Sequence, residues 1–284
     1  MTFAVILGLN ACGNGKKEQT KEDTTQQSEV KENLKKILNE VPKPTEIPYL
    51  LESTGVEFDK SLANKPAHVS KYKTTNFTAA VNLGVYATDI GYVSVYGETQ
   101  NALEYMKSVK ELGDKLGLTN VFDPSTVEKF KKNLSNKDSL AGIIDESIKS
   151  ADNYLKKNER NNISSFVFAG SFIEGLYIST ELVATFPKDL LPEDAKNQLL
   201  IPLVRVILKQ KEPLKDLIKV LQSLGEEDEQ VKKLISDLEA LAKLYDDLNI
   251  EEKIKNNKGD FVLTDKTIQS ITDKVRTIRN GIIG

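Results

Sequence analysis

Residues 76–96, NFTAAVNLGVYATDIGYVSVY, decide the fold. Between Lys73 and Glu98 the only charged side chain is Asp89. At 100° per residue Asn82, Asp89 and Tyr96 fall within about 20° of one line, flanked by Tyr86 and Tyr92. Ala80, Gly84, Ala87 and Gly91 occupy the opposite side, where small residues let a second helix backbone come close. Leu83, Ile90, Val81 and Val95 fill the remaining arcs. A helix apolar almost all round belongs in the middle of a fold, so this stretch predicts a central helix in an all-α protein.

A second stretch of the same kind runs from Ile163 to Phe186. Its only charges between Arg160 and Lys188 are Glu174 and Glu181, seven residues apart and therefore on one face, with Ser171 and Tyr177 beside them. Each central helix thus displays a narrow stripe of carboxylates and tyrosines. Two readings follow. In one, each stripe is the sliver of a largely buried helix that reaches solvent. In the other, the stripes face each other or a cleft, and Asp89, Glu174, Glu181, Asn82 and Ser171 with Tyr86, Tyr92, Tyr96 and Tyr177 form a pocket. Carboxylates and phenols on an apolar floor suit amine, sugar or cationic ligands. Hydrolysis by paired carboxylates requires a spacing of about 5 to 9.5 Å, which sequence does not establish.

Helical spacing with matching start and stop signals recurs along the rest of the chain. Val30, Leu34, Ile37 and Leu38 share one face of a helix ending before Pro42. Proline-rich connectors are expected at Pro42–Pro48 and Asn64–Lys73. Further helices are expected at Gln100–Leu116, with Gly117 as stop, at Pro124–Leu134, capped by Asp123, and at Ser139–Lys157. Others follow at Pro192–Gln210, kinked by Pro202, at Pro213–Leu224 and at Asp228–Leu248. Thr264 caps a last helix with Ile268, Ile271, Val275 and Ile278 on its buried side. The only strand-like stretch is Asp260–Leu263. The expectation is a bundle of about nine to ten helices. GVYATDIGY at Gly84–Tyr92 and GSFIEGLY at Gly170–Tyr177 each set a carboxylate shortly before a tyrosine, so the halves are either related or simply two buried helices of similar build.

Several chemistries are excluded. His68 is the only histidine, so no site can use two histidine ligands. There is no G-x-S-x-G elbow, and GNGKK at Gly13 lacks the spacing and setting of a phosphate loop. No cofactor or metal is expected. A net charge of -3 with the two signs interspersed gives no footprint for nucleic acid. The acidic run Glu226–Glu229 opens a helix, where negative charge complements the backbone dipole. No stretch after residue 12 reaches eighteen uninterrupted apolar residues, so a soluble body is expected.

The N-terminal end speaks to location. Cys12, the sole cysteine, follows an apolar run, Phe3–Leu9, and closes the sequence Leu9-Asn10-Ala11-Cys12. Gly13–Ser28 has no aliphatic or aromatic residue and cannot offset its ordering entropy by burial. We therefore expect three parts: a signal peptide over residues 1–11, Cys12 with a flexible tether through residue 28, and one helical domain over residues 29–284. The basic residues that precede such an apolar core are missing, which places the expected natural start upstream of Met1.

The LNAC motif resembles the lipobox of bacterial lipoproteins, in which the bond before the cysteine is cut and the thiol carries a diacylglycerol. With LGVYATDIGY (Leu83–Tyr92) and YMKSVKELGDKLGL (Tyr105–Leu118), the chain resembles the all-helical lipoproteins of Bacteroidota. The resemblance implies a lipid anchor at Cys12 and a place in the bacterial cell envelope. Gly13 after the cysteine points to the outer membrane. It implies no activity. The expected role is a non-enzymatic binding or scaffold module with a protein partner or small ligand; an envelope hydrolase using the three carboxylates is the alternative.

Overall fold

The computed structural model describes residues 32, 46–187, 190, 192–225, 228–248 and 265–284. The expected leader with Cys12, the expected tether, all but residue 32 of the helix expected around Val30–Leu38, residues 226–227 of the acidic run, the Asp260–Leu263 stretch and the expected Thr264 cap lie outside the described residues. Among the described residues there are ten α-helices and no strand. The chain is the all-α bundle its periodicity predicts.

In chain order the helices are α1 Glu46–Glu52, α2 Asn76–Val95, α3 Thr99–Lys115, α4 Pro124–Lys132, α5 Lys137–Lys157 and α6 Asn161–Ala184. They continue with α7 Glu193–Leu208, α8 Lys211–Ser223, α9 Glu229–Asp247 and α10 Asp265–Ile283. Two 3-10 turns, Lys60–Leu62 and Pro66–Lys73, lie between α1 and α2. Local chemistry sets the boundaries. The Thr75 hydroxyl accepts from the Thr78 N–H at 3.0 Å, Asp123 from Thr126 at 2.7 Å, Asn136 from Ser139 at 2.9 Å and Asp228 from Gln230 at 2.7 Å. Each satisfies an amide that the first turn leaves free. Gly117, at φ 72°, takes the left-handed conformation that ends α3.

Two expectations are corrected. The first connector contains α1, because Pro48 sits in its first turn, where the missing N–H has no intrahelical role. The second connector coils into the longer 3-10 turn, which packs against α2 and α3.

The bundle is organised around α2 and α6, which pack on each other more extensively than any other pair. The remaining helices wrap this pair: α3 and α5 lie on α2, α7 and α8 on α6, and α10 bridges α6 to α9 while its last turn reaches α2. Among the described residues α6 is the only helix long and apolar enough to cross a membrane by length and composition, yet 72% of its most apolar window is buried inside the protein. It is the core helix of the bundle.

The α2–α6 crossing is a backbone contact. A Cβ on Gly84 would sit 2.0 Å from the Val167 carbonyl oxygen and 2.6 Å from the Ser171 nitrogen. One on Gly170 would lie 1.9 Å from the Val81 carbonyl oxygen. The Ser171 hydroxyl closes the contact by donating to the Gly84 carbonyl at 3.1 Å, and it lies 3.1 Å from the Thr88 hydroxyl. No side-chain rearrangement can relieve a backbone clash. Gly84→Ala or Gly170→Ala is expected to destabilise the fold by about 3 kcal/mol or more, beyond ordinary overpacking. By contrast Gly142→Ala, whose Cβ meets nothing within 4 Å, should leave the midpoint of urea denaturation at or above that of the parent.

Candidate functional site

Close approach of α2 and α6 brings their polar stripes together in the interior. Asp89 and Glu174 are both 0% exposed, and Asn82, Tyr86 and Tyr92 are buried with them; Tyr96 is half-buried. The α2 stripe is therefore not a strip of solvent-facing surface. What meets it is the chain itself.

Two elements, α10 and the turn at Leu62, converge on Glu174. From α10, Arg279 Nε and Nη2 donate to Glu174 Oε2 and Oε1 at 3.0 and 2.9 Å, a bidentate pair in which the arginine is only 5% exposed. Nη2 also donates to the Leu62 carbonyl at 3.0 Å. The guanidinium carbon lies 4.4 Å from the centre of the Tyr177 ring. Burial alone would make Arg279 easier to deprotonate, but the Glu174 charge and hydrogen bond outweigh it and push its pKa up. Two turns along α6, Glu181 is gripped the same way: Arg276 Nε and Nη2 donate to it at 2.7 and 3.1 Å, while Nη1 holds Asp273 at 2.7 Å.

The α2 stripe grips the segment Val56–Lys73, hereafter the strap. The Tyr92 hydroxyl accepts from the Asp59 N–H and donates to the Asp59 carbonyl, both at 3.1 Å. Asp89 Oδ2 accepts from the Asn64 N–H at 3.2 Å. The Tyr86 hydroxyl donates to the Lys65 carbonyl at 2.9 Å. Asn64 in turn donates to the Tyr72 hydroxyl at 3.1 Å, which donates to the Ile283 carbonyl at 2.8 Å; Asn82 donates to the Ile282 carbonyl at 3.3 Å. Side chains with the look of a ligand site thus bind main-chain atoms of the same molecule.

One atom in this centre is left over. Asp89 Oδ1 is buried and no donor faces it. Burial, then the neighbouring Glu174 charge, raise the Asp89 pKa well above the usual carboxyl range, although Arg279 pulls the other way. A proton on Asp89 leaves one guanidinium to balance one carboxylate, which makes the buried centre neutral. Burial raises the tyrosines as well: Tyr96, whose hydroxyl is buried without a partner, is pushed up to about 12 by burial and then by Glu52.

The sequence-derived residues therefore divide. Asp89, Glu174, Tyr86, Tyr92 and Tyr177 gather around one buried centre. Glu181 closes a separate ion pair, Asn82 fastens the end of α10, and Ser171 belongs to the helix crossing. Tyr96 stacks against Phe58 and Tyr92 at 5.6 and 5.3 Å. Among the described residues no group of three or more histidine, cysteine, aspartate or glutamate side chains is placed to hold a metal. Sequence reasoning missed Arg276, Arg279 and Asn64. A signal for Arg279 was present: it stands four residues after Val275 and seven after Thr272, so it continues the buried side of α10.

Compared with protein-family models, with curated proteins and with solved structures, the chain matches none.

Two outcomes test this arrangement. Arg279→Met leaves Glu174 buried without its cation and should cost about 3–5 kcal/mol in chemical denaturation. Asp89→Asn places a permanent donor where the protonated acid stood. Because the folded-state pKa of Asp89 is raised, its favourable contribution is complete below about pH 3.9 and is lost as pH rises towards the folded value. The Asn variant should therefore gain on the parent with rising pH, by up to about 1.4 kcal/mol per unit, read from urea midpoints at pH 5, 6.5 and 8.

Proposed function

We propose that this protein is an envelope lipoprotein whose helical body is a non-enzymatic binding or scaffold module, held at a bacterial membrane by a lipid on Cys12. The observation that carries the non-catalytic reading is the closure of Glu174 and Glu181, each held at both carboxylate oxygens by one arginine of α10. A general acid or nucleophile needs a free oxygen facing a substrate, and these face guanidinium groups. The anchor rests on the sequence around Cys12 and on the apolar-free stretch behind it. Two acyl chains hold a protein stably where one does not, at about 0.8 kcal/mol per buried methylene. Sixteen tether residues reach on the order of 50 Å when extended, enough to hold the bundle clear of the headgroups. The outer membrane is the expected membrane.

A second reading keeps a small-ligand or hydrolytic site at Asp89 and Glu174. It draws on the unpartnered Asp89 Oδ1, since a strongly perturbed buried acid beside a second carboxylate is a pattern found at functional centres. This reading requires the strap to move.

Expression of the full chain in a lipoprotein-processing bacterium tests the anchor. Mature protein should begin at Cys12, carry the mass of a diacylglycerol and partition into detergent, and Cys12→Ser should appear in the soluble fraction. An unmodified thiol with residues 1–11 still attached would overturn the placement.

A further inference from the structure

The wall between the buried acid pair and solvent is thin. Ser61 and Lys65 are exposed, and only Leu62, Ala63 and Asn64 lie buried between them over the Asp89–Glu174–Arg279 centre. This part of the strap has no sheet or α-helix ladder of its own. It is held by the Tyr92, Asp89, Tyr86 and Arg279 contacts to its main chain and by burial of Leu62 and Ala63. Two of those four grips come from members of the charged centre itself, so the state of the centre and the seating of the strap are coupled.

We propose that residues 59–65 form a proton-gated lid: with Asp89 neutral the lid is closed, and ionisation of Asp89 opens it, admitting water to the centre while α2, α6 and α10 stay folded. The groups facing Asp89 set the sign. Glu174 approaches from α6, Arg279 from α10, Tyr72 from the strap, Tyr105 from α3, and Tyr86 and Tyr92 from α2 itself. Ionised, the centre holds two carboxylates against one guanidinium whose Nε and Nη2 already donate to Glu174. The Asn64 N–H bond to Asp89 strengthens on ionisation, but one amide replaces little of the hydration a carboxylate loses on burial. Lifting three buried residues supplies that water and leaves the α2–α6 contact intact. The open form presents Asp89, the Arg279 edge that held Leu62, and the Tyr86 and Tyr92 hydroxyls to solvent. Those are the groups that hold main-chain atoms of the strap when the lid is shut.

Lys60 and Lys65 are exposed in the lid, so trypsin cleavage there reports its opening. Opening should increase about tenfold per pH unit between the carboxyl pKa of the open state and that of the closed state. The full-length protein and its Asp89→Asn variant are digested side by side from pH 5 to 9, which cancels the pH dependence of trypsin. We expect the parent-to-variant ratio of cleavage at Lys60 and Lys65 to rise by ten- to a hundredfold across that range. Asp89→Leu, neutral and apolar, serves the same comparison where the Asn variant does not fold. Hydrogen exchange of the parent alone, corrected for intrinsic rates, should show amides 59–65 exchanging at least tenfold faster than those of Phe166–Ile178, with the gap widening as pH rises. A ratio that stays constant with pH, or lid and α6 amides exchanging at one common rate, would overturn the proposal.

Discussion

The backbone-to-backbone crossing of α2 and α6 is the constraint from which the rest of the structure follows. Gly84 and Gly170 sit where any Cβ would lie within about 2 Å of a carbonyl oxygen of the other helix. The two axes are therefore locked at a separation that branched side chains do not permit. Five residues beyond Gly84 comes Asp89, and four beyond Gly170 comes Glu174. With the axes this close, the carboxylates are driven into the same buried space. An apolar core that contains two acids must then provide a cation, and the last turns of α10 do so.

This explains why α10 docks where it does. Its apolar stripe packs on α6 and α9, but its register is set by Arg276 and Arg279, three residues apart, meeting Glu181 and Glu174, seven apart on α6. Buried ion pairs contribute little net stability, because desolvation offsets most of the attraction, and their loss on one side is severe. Their value here is in specifying one arrangement: a slide of α10 by one turn would strand both glutamates. Burial, and with it the mismatch of two acids to one arginine, pushes the Asp89 pKa up.

The tyrosines of α2 perform a related task. A phenol that points into a core must find a partner, and Tyr86 and Tyr92 find it in the main chain of the strap. A segment built of short 3-10 turns and the chain between them would otherwise leave some of its amides and carbonyls unpaired. The same hydrogen bonds satisfy both needs. The consequence is a region stitched to the bundle by side chains instead of by a ladder, which is the kind of attachment that opens below the global unfolding free energy.

Much of this was legible in the residues. The two central helices stood out because each is apolar on nearly every face with a few acids in a line, and of the small residues on the first, Gly84 lies at the point where its neighbour comes close. Helix ends at Thr75, Asp123, Asp228 and Gly117 follow from local hydrogen bonding and backbone sterics, which depend only on nearby residues; the helix expected from Ser139 begins two residues earlier, capped by Asn136. Less legible were α1, a short helix hidden by Pro48, and the partners of the stripes, since Asp89 and Asn64 are 25 positions apart and Glu174 and Arg279 are 105 apart. Periodicity states which residues share a face but carries no information on what that face meets. The sequence by itself determined an all-α chain with two buried helices bearing acids. Only the tertiary structure decided that the acids look inward at an arginine and at the chain's own strap, because desolvation, ion pairing and main-chain capture all arise between elements brought together by folding.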